Sequence, residues 1–554
     1  MSGISKISMQ IIKNKFRLMP NLRKFLIYYF LFLLSGGLFY ILIVPPFENF
    51  DERAHFSAIK QIVYEKNIVK NIDSYIDKTI QDYQGPNPYT SGAPPFDSNL
   101  VYYKFFQDKK KVSEIVNQLN SVPEKKFTRG TVANYEYIQH PPLYYIIMSP
   151  VLKFFQNSTM IFQIFILRLV SYFMALLGIG FGIFGVLNLC KYDSWLNKRR
   201  LFLGIFLWPL LFPMFFLEFA RIGNDSLCLF LIGVYLFLLS KFILNKEIFK
   251  YILSIGLILS FGLLTKAFFL PITFISYIFI IYLLNKKKIN HICIFINAIL
   301  LALIILLIGG VFYFSSYIET GSLTGTEIGT KLSKNNLEFL SVFYQKDFFY
   351  NFLRGIATIP VTFIWAGTQS LAHVSFIFYL FPLYFILLVI YRIFFEFLNS
   401  KKLFYLFFSV SNFIFFLLGL MWAAFGNLLI GVGNANIPGW YVHIFIFILA
   451  PIIGQTLESL HIKKITYIVL YCLSFILLAN WHLISLYSGC AIKNFDKNFT
   501  FENKYFCFDR IIQIFERLSY VSFPLLAVIS FVFFLICTFY LLQITRNKNF
   551  FLEK

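Results

Sequence analysis

Charge is scarce in this sequence. Only 14% of its 554 residues are Asp, Glu, Lys or Arg, about half the share of an ordinary globular domain. A disordered chain, which depends on polar and charged residues, is excluded. Cysteine is thin too. Seven are scattered, five of them in apolar runs, with no C-x-x-C and no His/Cys metal spacing. That excludes a disulfide scaffold and a zinc module. Glycine and proline number 29 and 19, too few for a collagen-like fibre, and no internal repeat of solenoid length recurs. What fills the chain instead is apolar: 58% hydrophobic, 20% aromatic, with a mean hydropathy of +0.70. A multi-pass membrane protein needs that much apolar surface, and a soluble domain does not.

The charge that remains is unevenly placed. The net charge is +22, which in a soluble protein would suggest nucleic acid. Its distribution points elsewhere. Met1–Lys24 holds six Lys and Arg and no acid, and with the short loops 191–200, 241–250, 286–288, 392–402, 458–464 and 545–554 it carries +19. The long loops 46–141, 315–354 and 487–518 carry 0, 0 and +1. This is the positive-inside pattern. It implies an inner-membrane protein with both termini cytoplasmic, no nucleic-acid partner, and long neutral loops outside.

Apolar runs predict an all-α polytopic protein with about twelve spans (eleven to thirteen). They lie near 25–45, 161–189, 201–217, 226–243, 250–264, 267–285, 292–314, 372–391, 403–423, 441–457, 465–486 and 519–543. Segment 142–156 is read as a short or re-entrant helix, because a thirteenth crossing would spoil the charge alternation. The organisation is then a basic cytoplasmic N-terminus (1–24), a first anchor (25–45), and an extracytoplasmic loop (46–141). A bundle (142–314), a second outer loop (315–371), a C-terminal bundle (372–543) with outer loop 487–518, and a cytoplasmic tail (544–554) follow. The first anchor shows no small-x-small cleavage site before Pro45 and reads as uncleaved. "FSAIKQIVYEKNI" and "KKVSEIVNQLN" in the first loop read as amphipathic surface helices. Cys490 and Cys507 share an outer loop, which leaves both a disulfide and two free thiols open.

Ionisable residues gather at the outer ends of these spans. "VPPFENFDERAHF" (44–56) puts Asp51 and Glu52 just beyond the first span, with Glu48 before them and His55 one helical turn after Asp51. Carboxylates beside hydrocarbon have raised pKa values, which suits a general base, although interface polarity also explains them. "YIQHPPLYYIIM" returns the long loop to the membrane at His140 and opens the next helix with Pro141-Pro142. "LEFARIGNDSL" sets Glu218, Arg221, Asn224 and Asp225 in one tight turn, either a polar site or a structural ion pair. Lys266, in "LLTKAFFLP", can snorkel or can meet an anionic head group. "FGNLLIGVGNANIPGWYVH" ends in Trp440 and Tyr441, an aromatic pair that also suits an interfacial belt.

Taken in order, these motifs resemble the GT-C superfamily of membrane glycosyltransferases, which includes protein O-mannosyltransferases and the aminoarabinose transferases of lipid A. More closely, Asp51-Glu52-x-x-His55-Phe56, Arg221-x-x-Asn224-Asp225 and the late Gly-Trp-Tyr resemble a bacterial branch of multi-pass proteins that reads P-P-D-E-P-A-H-F at the first site. Two departures stand out. "FENF" separates Pro45-Pro46 from Asp51-Glu52, and Pro438-Gly439-Trp440-Tyr441 stands where the branch reads Gln-Gly-Arg-Tyr. The resemblance implies a GT-C-like bundle and inverting transfer from a polyprenyl-phosphate sugar, on the outer face, to a glycan, lipid or protein acceptor. It implies Asp51 as base, with Glu52 as alternate or orienting neighbour and Glu48 as competitor. His140, Arg221 and Lys266 would hold the donor phosphate, with His55, Asn224, Asp225, Trp440 and Tyr441 in support. No D-x-D motif lies near the first site, so no metal and no cofactor is expected. Two other classes stay open: a lipid-linked-glycan polymerase or ligase, and a polytopic lipid or glycan transporter. The first usually carries its large outer loop late in the chain, and the second tends to show internal repeats.

Overall fold

The computed structural model describes residues 20–65, 75–83, 108–129, 140–193, 195–321, 347–364, 377–399, 404–429, 438–458, 462–487 and 524–546, with isolated positions between them that include Tyr102 and Thr368. Cys490, Cys507 and residues 430–437 of the Gly-rich stretch before Trp440 lie outside the described residues.

Apolar runs with nothing to interrupt them form helices, because in lipid every backbone polar group must be satisfied within its own segment. Among the described residues, ten helical segments are long and apolar enough to cross a membrane. They begin with α1 (Pro20–Ile43), α6 (Met160–Leu189), α9 (Asp225–Leu244) and α11 (Phe269–Lys286). Next come α12 (His291–Ile304), which continues through a π turn (Ile305–Gly309) into α13 (Gly310–Thr320), then α15 (Ile377–Asn399) and α16 (Phe404–Leu429). A 3₁₀ turn (Gly439–Phe445) running into α17 (Ile446–Glu458), α18 (Ile462–Tyr487) and α19 (Pro524–Arg546) complete the ten. The protein is a polytopic α-helical membrane protein.

Two of the twelve expected spans take another form. The run at 201–217 breaks into α7 (Lys198–Leu211) and α8 (Met214–Phe219). Phe212-Pro213 interrupts it, since proline removes a helix hydrogen bond. The break is tolerated because Leu201–Leu211 and Met214–Phe219 are buried in protein rather than lipid. The run at 250–264 is α10 (Ile248–Leu263), only 16 residues long. Segment 142–156 is the 12-residue α5 (Leu143–Phe154). The segment 315–371, read as a loop, contains the apolar helix α14 (Phe348–Ile364).

Close helix contact rests on small residues. A Cβ on Gly233 of α9 would lie 2.0 Å from the Gly178 carbonyl oxygen of α6, so the two helices touch backbone to backbone. Elsewhere aromatic stacking joins the first span to the last: Phe32 on Phe534 and Tyr28 on Tyr540, each with ring centroids 4.9 Å apart. The Gly439–Glu458 segment is 89% buried and lies at the centre, whereas His291–Glu319 is 22% buried and presents its side chains outward.

The first loop folds over one end of this bundle. Helix α2 (Glu52–Glu65) does not lie on the surface as an amphipathic ribbon: its residues from Ala54 to Gln61 are buried, and it packs against α5. A two-stranded antiparallel ribbon, β1 (Tyr75–Asp77) with β2 (Phe127–Arg129), pairs Ile76 with Thr128. A buried ion pair, Lys60 Nζ to Asp77 Oδ2 at 2.5 Å, ties α2 to β1. Between the strands lie the single turn α3 (Lys78–Gln81) and α4 (Lys109–Leu119). Helix α4 buries Val112, Ile115 and Leu119 and leaves Lys110 exposed, the amphipathic division its sequence predicts.

Candidate functional site

The site forms where the ends of α1, α5, α8, α9, α10 and the 3₁₀ turn meet beneath the first loop. After α1 the chain makes a tight turn, Val44–Asp51, in which Phe47 (φ 62°) and Asp51 (φ 56°) adopt left-handed backbone. Side chains with a Cβ rarely accept that geometry. The turn splits its three carboxylates into different environments.

Glu48 is fully buried. Its Oε2 accepts from Tyr102 Oη at 2.6 Å and its Oε1 from Thr368 Oγ1 at 2.7 Å; Thr368 also meets Tyr487 Oη at 2.8 Å. Glu52 is fully buried as well. Arg168 grips it from two sides, Nε to Oε1 at 2.7 Å and Nη2 to Oε2 at 2.6 Å. The backbone N–H groups of Phe47 and Ile222 donate to the same two oxygens, at 3.1 and 3.2 Å. Asp51 is exposed. Its carboxylate makes no hydrogen bond or ion pair among the described residues, yet its charge reaches Arg221, Tyr441 and Tyr145.

Opposite Asp51 stands a buried charge network. Arg221 Nη2 donates to Glu218 Oε1 at 2.7 Å and to Asp225 Oδ2 at 3.0 Å. Its Nε donates to the Glu218 carbonyl at 3.2 Å, and its Nη1 to the Phe50 carbonyl. Lys266 Nζ holds both oxygens of Asp225, at 2.8 and 2.9 Å. The ammonium also lies over the rings of Phe268 and Tyr441, 4.4 and 4.3 Å from their centroids, an arrangement that desolvation strengthens. Asn224 Nδ2 donates to the Thr265 carbonyl at 3.3 Å, leaving its Oδ1 buried without a partner among the described residues. A guanidinium has five N–H donors and an ammonium three. Arg221 and Lys266 therefore each keep one N–H without an acceptor among the described residues.

Two histidines close the third side. The backbone N–H of Leu143 donates to the Leu264 carbonyl at 2.9 Å, which docks the start of α5 on the end of α10 and brings His140 near Lys266. The His55 and His140 rings lie parallel, 6.1 Å apart and 12° from coplanar. His55 Nδ1 meets Tyr145 Oη at 3.0 Å. Burial pushes His140 down to about 3, with Lys266 and Arg221 adding to the shift. Burial, then Arg221, His140 and Lys266, hold His55 well below the usual histidine range. Both rings are neutral at pH 7.

The late motif supplies the fourth side. Trp440 stacks on Phe50 with centroids 4.5 Å apart, and Tyr441 caps Lys266. Neither belongs to an outer aromatic belt. Gly439 permits this placement: a Cβ there would lie 1.8 Å from the Ile359 carbonyl oxygen of α14, and its N–H donates to Thr362 Oγ1 at 2.6 Å. The two departures noted in the sequence thus touch each other, since Phe50 comes from "FENF" and Trp440 stands where the branch has arginine.

The fold brings Asp51, Glu52, His55, His140, Arg221, Asn224, Asp225, Lys266, Trp440 and Tyr441 to one end of the bundle. Glu48 is turned away into the Tyr102–Thr368–Tyr487 contacts. Sequence reading missed Arg168, Tyr145 and Phe50. Arg168 carried a signal: it is an arginine inside the 30-residue apolar helix α6, and a charge within a span marks a partner or a site.

The site thus lies at one end of a polytopic helical membrane protein, where Asp51, unpaired among the described residues, faces a buried, cation-bearing network. No family model and no curated protein matches the sequence. Among solved structures the chain is similar to ArnT from Cupriavidus metallidurans. The apo crystal structure is 13% identical with a TM-score of 0.35, covering 83% of this chain and 73% of that one. The crystal structure bound to undecaprenyl phosphate is 13% identical with a TM-score of 0.37, covering 89% and 76%.

Proposed function

We propose that this protein is a GT-C-type membrane glycosyltransferase that moves a sugar from a polyprenyl-phosphate donor to an acceptor hydroxyl, with inversion, on the extracytoplasmic face of the inner membrane. The observation that carries the reading is the contrast between Asp51 and Glu52. Neighbouring carboxylates meet the same chemical need in the sequence, but of the two only Asp51 is exposed and unpaired among the described residues. A general base must have a lone pair free to reach the proton it takes. All four lone-pair directions of Glu52 are occupied.

In this mechanism Asp51 removes the proton of the acceptor hydroxyl. The acceptor oxygen then attacks the anomeric carbon, and the bond from that carbon to the phosphate oxygen breaks on the opposite face. The lipid phosphate leaves with added negative charge. Lys266 and Arg221 each have one N–H to offer it, and neutral His140 has a ring N–H. Donors fixed in place before charge develops lower the barrier, because they need no reorganisation. Asp225 and Glu218 hold those cations in position while the site is empty of phosphate. The clustering of basic residues on the opposite side of the membrane supports the outer-face assignment.

The test is a transfer assay. Purified protein is incubated with a panel of undecaprenyl-phosphate-linked sugars and a membrane extract as acceptor source, and release of undecaprenyl phosphate is followed. The expected result is sugar transfer that consumes at least one donor. Absence of release with every donor would remove the glycosyltransferase reading.

A further inference from the structure

We propose that Arg168 and Glu52 are positioning residues that set where the Asp51 carboxylate stands relative to Arg221 and Lys266. The inference rests on the glycosyltransferase reading for its kinetic consequence, but its geometry is independent of it.

Arg168 uses every donor it has. Its Nε and one Nη2 N–H go to Glu52. The second Nη2 N–H goes to the Pro45 carbonyl at 2.8 Å, and the two Nη1 N–H groups go to the carbonyls of Val44 at 2.6 Å and Ile41 at 3.3 Å. Five donors meet five acceptors, and the side chain is only 3% exposed. Three of these acceptors are at the end of α1 or just past it, where carbonyls have no partner within the helix. Glu52 is the other half of the joint. One oxygen takes the Phe47 N–H, inside the turn that carries Asp51. The other takes the Ile222 N–H, next to Arg221. A single carboxylate thus references the base-bearing turn and the cation-bearing turn to each other. A second bond, from Arg221 Nη1 to the Phe50 carbonyl, closes the same loop.

The joint is needed because the turn is not at rest. Phe47 and Asp51 both sit at positive φ, a conformation that survives only where the surroundings impose it. The Asp51 side chain makes no hydrogen bond or ion pair of its own among the described residues, so its position is inherited from Glu52, the next residue. Lysine could keep the charge of Arg168 but has three donors on one atom and cannot span two carboxylate oxygens and three carbonyls. Displacing a reacting group by about 1 Å costs about 100-fold in rate without touching the substrate's other contacts.

The experiment uses the full chain in detergent with three changes: Arg168→Lys, Glu52→Gln, and the neutral pair Arg168→Gln with Glu52→Gln. Transfer is measured with an undecaprenyl-phosphate-linked sugar that the wild type consumes. Kinetic constants are expressed per folded molecule, counted by size-exclusion chromatography. The expected result is a kcat about 100-fold lower with KM for the donor nearly unchanged in Arg168→Lys. A purely structural joint would lower the folded fraction and leave kcat per folded molecule intact; that result overturns the proposal. A second readout needs no catalysis. Asp51→Cys is labelled with maleimide alone and in combination with Arg168→Lys. The labelling rate is expected to change several-fold between the two. An unchanged rate overturns the positioning role even if the neutral pair fails to fold or no donor is ever found. Failure of the transfer assay with a changed labelling rate rejects only the glycosyltransferase reading.

Discussion

Asp51 and Glu52 are adjacent in the chain and opposite in state. Glu52 has both oxygens bound by Arg168 and two backbone N–H groups, while Asp51 is exposed with no partner among the described residues. The difference follows from one left-handed residue. At φ 56° Asp51 ends the turn, and Glu52 begins a helix whose first residue points inward.

Asp51→Asn is therefore expected to remove turnover while leaving the protein folded. A lost general base costs about 10²- to 10⁴-fold, and an exposed side chain contributes little to packing. Turnover and thermal midpoint measured on the same preparation check this. An Asn variant that retains wild-type kcat would remove Asp51 from the base role.

Lys266→Met is expected to destabilise, because Asp225 would keep a buried charge with Arg221 as its remaining cation. Breaking one side of a buried ion pair costs about 3–5 kcal/mol, whereas neutralising both sides is far cheaper. The double change Lys266→Met with Asp225→Asn should recover most of the thermal midpoint. It should not recover use of the phosphate donor. Parallel melting and donor-consumption assays separate the two effects.

His140 makes stability depend on pH. Its folded-state value, about 3, lies below the ordinary histidine value of 6.5. The unfolded chain therefore binds a proton that the folded chain does not, and stability must fall as pH drops. The contribution is fully present above about pH 6.5 and is lost as pH falls towards 3. The slope is about 1.4 kcal/mol per pH unit for one such group. His140→Gln should flatten the midpoint-versus-pH curve in that window and leave it unchanged at pH 8. An identical slope in the variant would show that His140 does not titrate on unfolding.

Gly439→Ala should displace the 3₁₀ turn, since the added methyl would lie 1.8 Å from the Ile359 carbonyl oxygen. Tyr441 and Trp440 would move with it, uncovering Lys266 and unstacking Phe50. The expected readouts are a lower thermal midpoint and faster modification of Lys266 by an amine reagent. Protection equal to wild type would mean that the turn absorbs the methyl without moving.

The outer-face assignment has its own check. Lys110, on α4, and Lys250, on α10, are both well exposed, and the proposed topology puts them on opposite sides of the membrane. In intact cells an impermeant thiol reagent should label Lys110→Cys and spare Lys250→Cys. The reverse pattern would place the site on the cytoplasmic side and remove the proposed mechanism.

Much of this protein was legible in the sequence. Hydropathy gave its polytopic helical class and ten of the span positions, because a helix in lipid needs only length and apolar composition. The local clusters 218–225 and 51–55 were visible because their members are neighbours in the chain. Composition could not separate α7 from α8, since burial by other helices is what lets a span stop short. Nor could it tell Asp51 from Glu52. Both are carboxylates beside the same membrane edge, and what distinguishes them comes from Arg168, more than a hundred residues away.

The sequence by itself determined that this chain folds in a membrane as a bundle of helices, and that polar residues gather at the ends of its spans. Only the tertiary structure decided which of them are spoken for. Glu48 is held by Tyr102 and Thr368, Glu52 by Arg168, and Asp225 by Lys266 and Arg221, and among the described residues Asp51 is left without a partner. Hydrophobicity is a property of each segment and can be read locally. The pairing of buried charges depends on which segments meet, and only the folded chain brings them together.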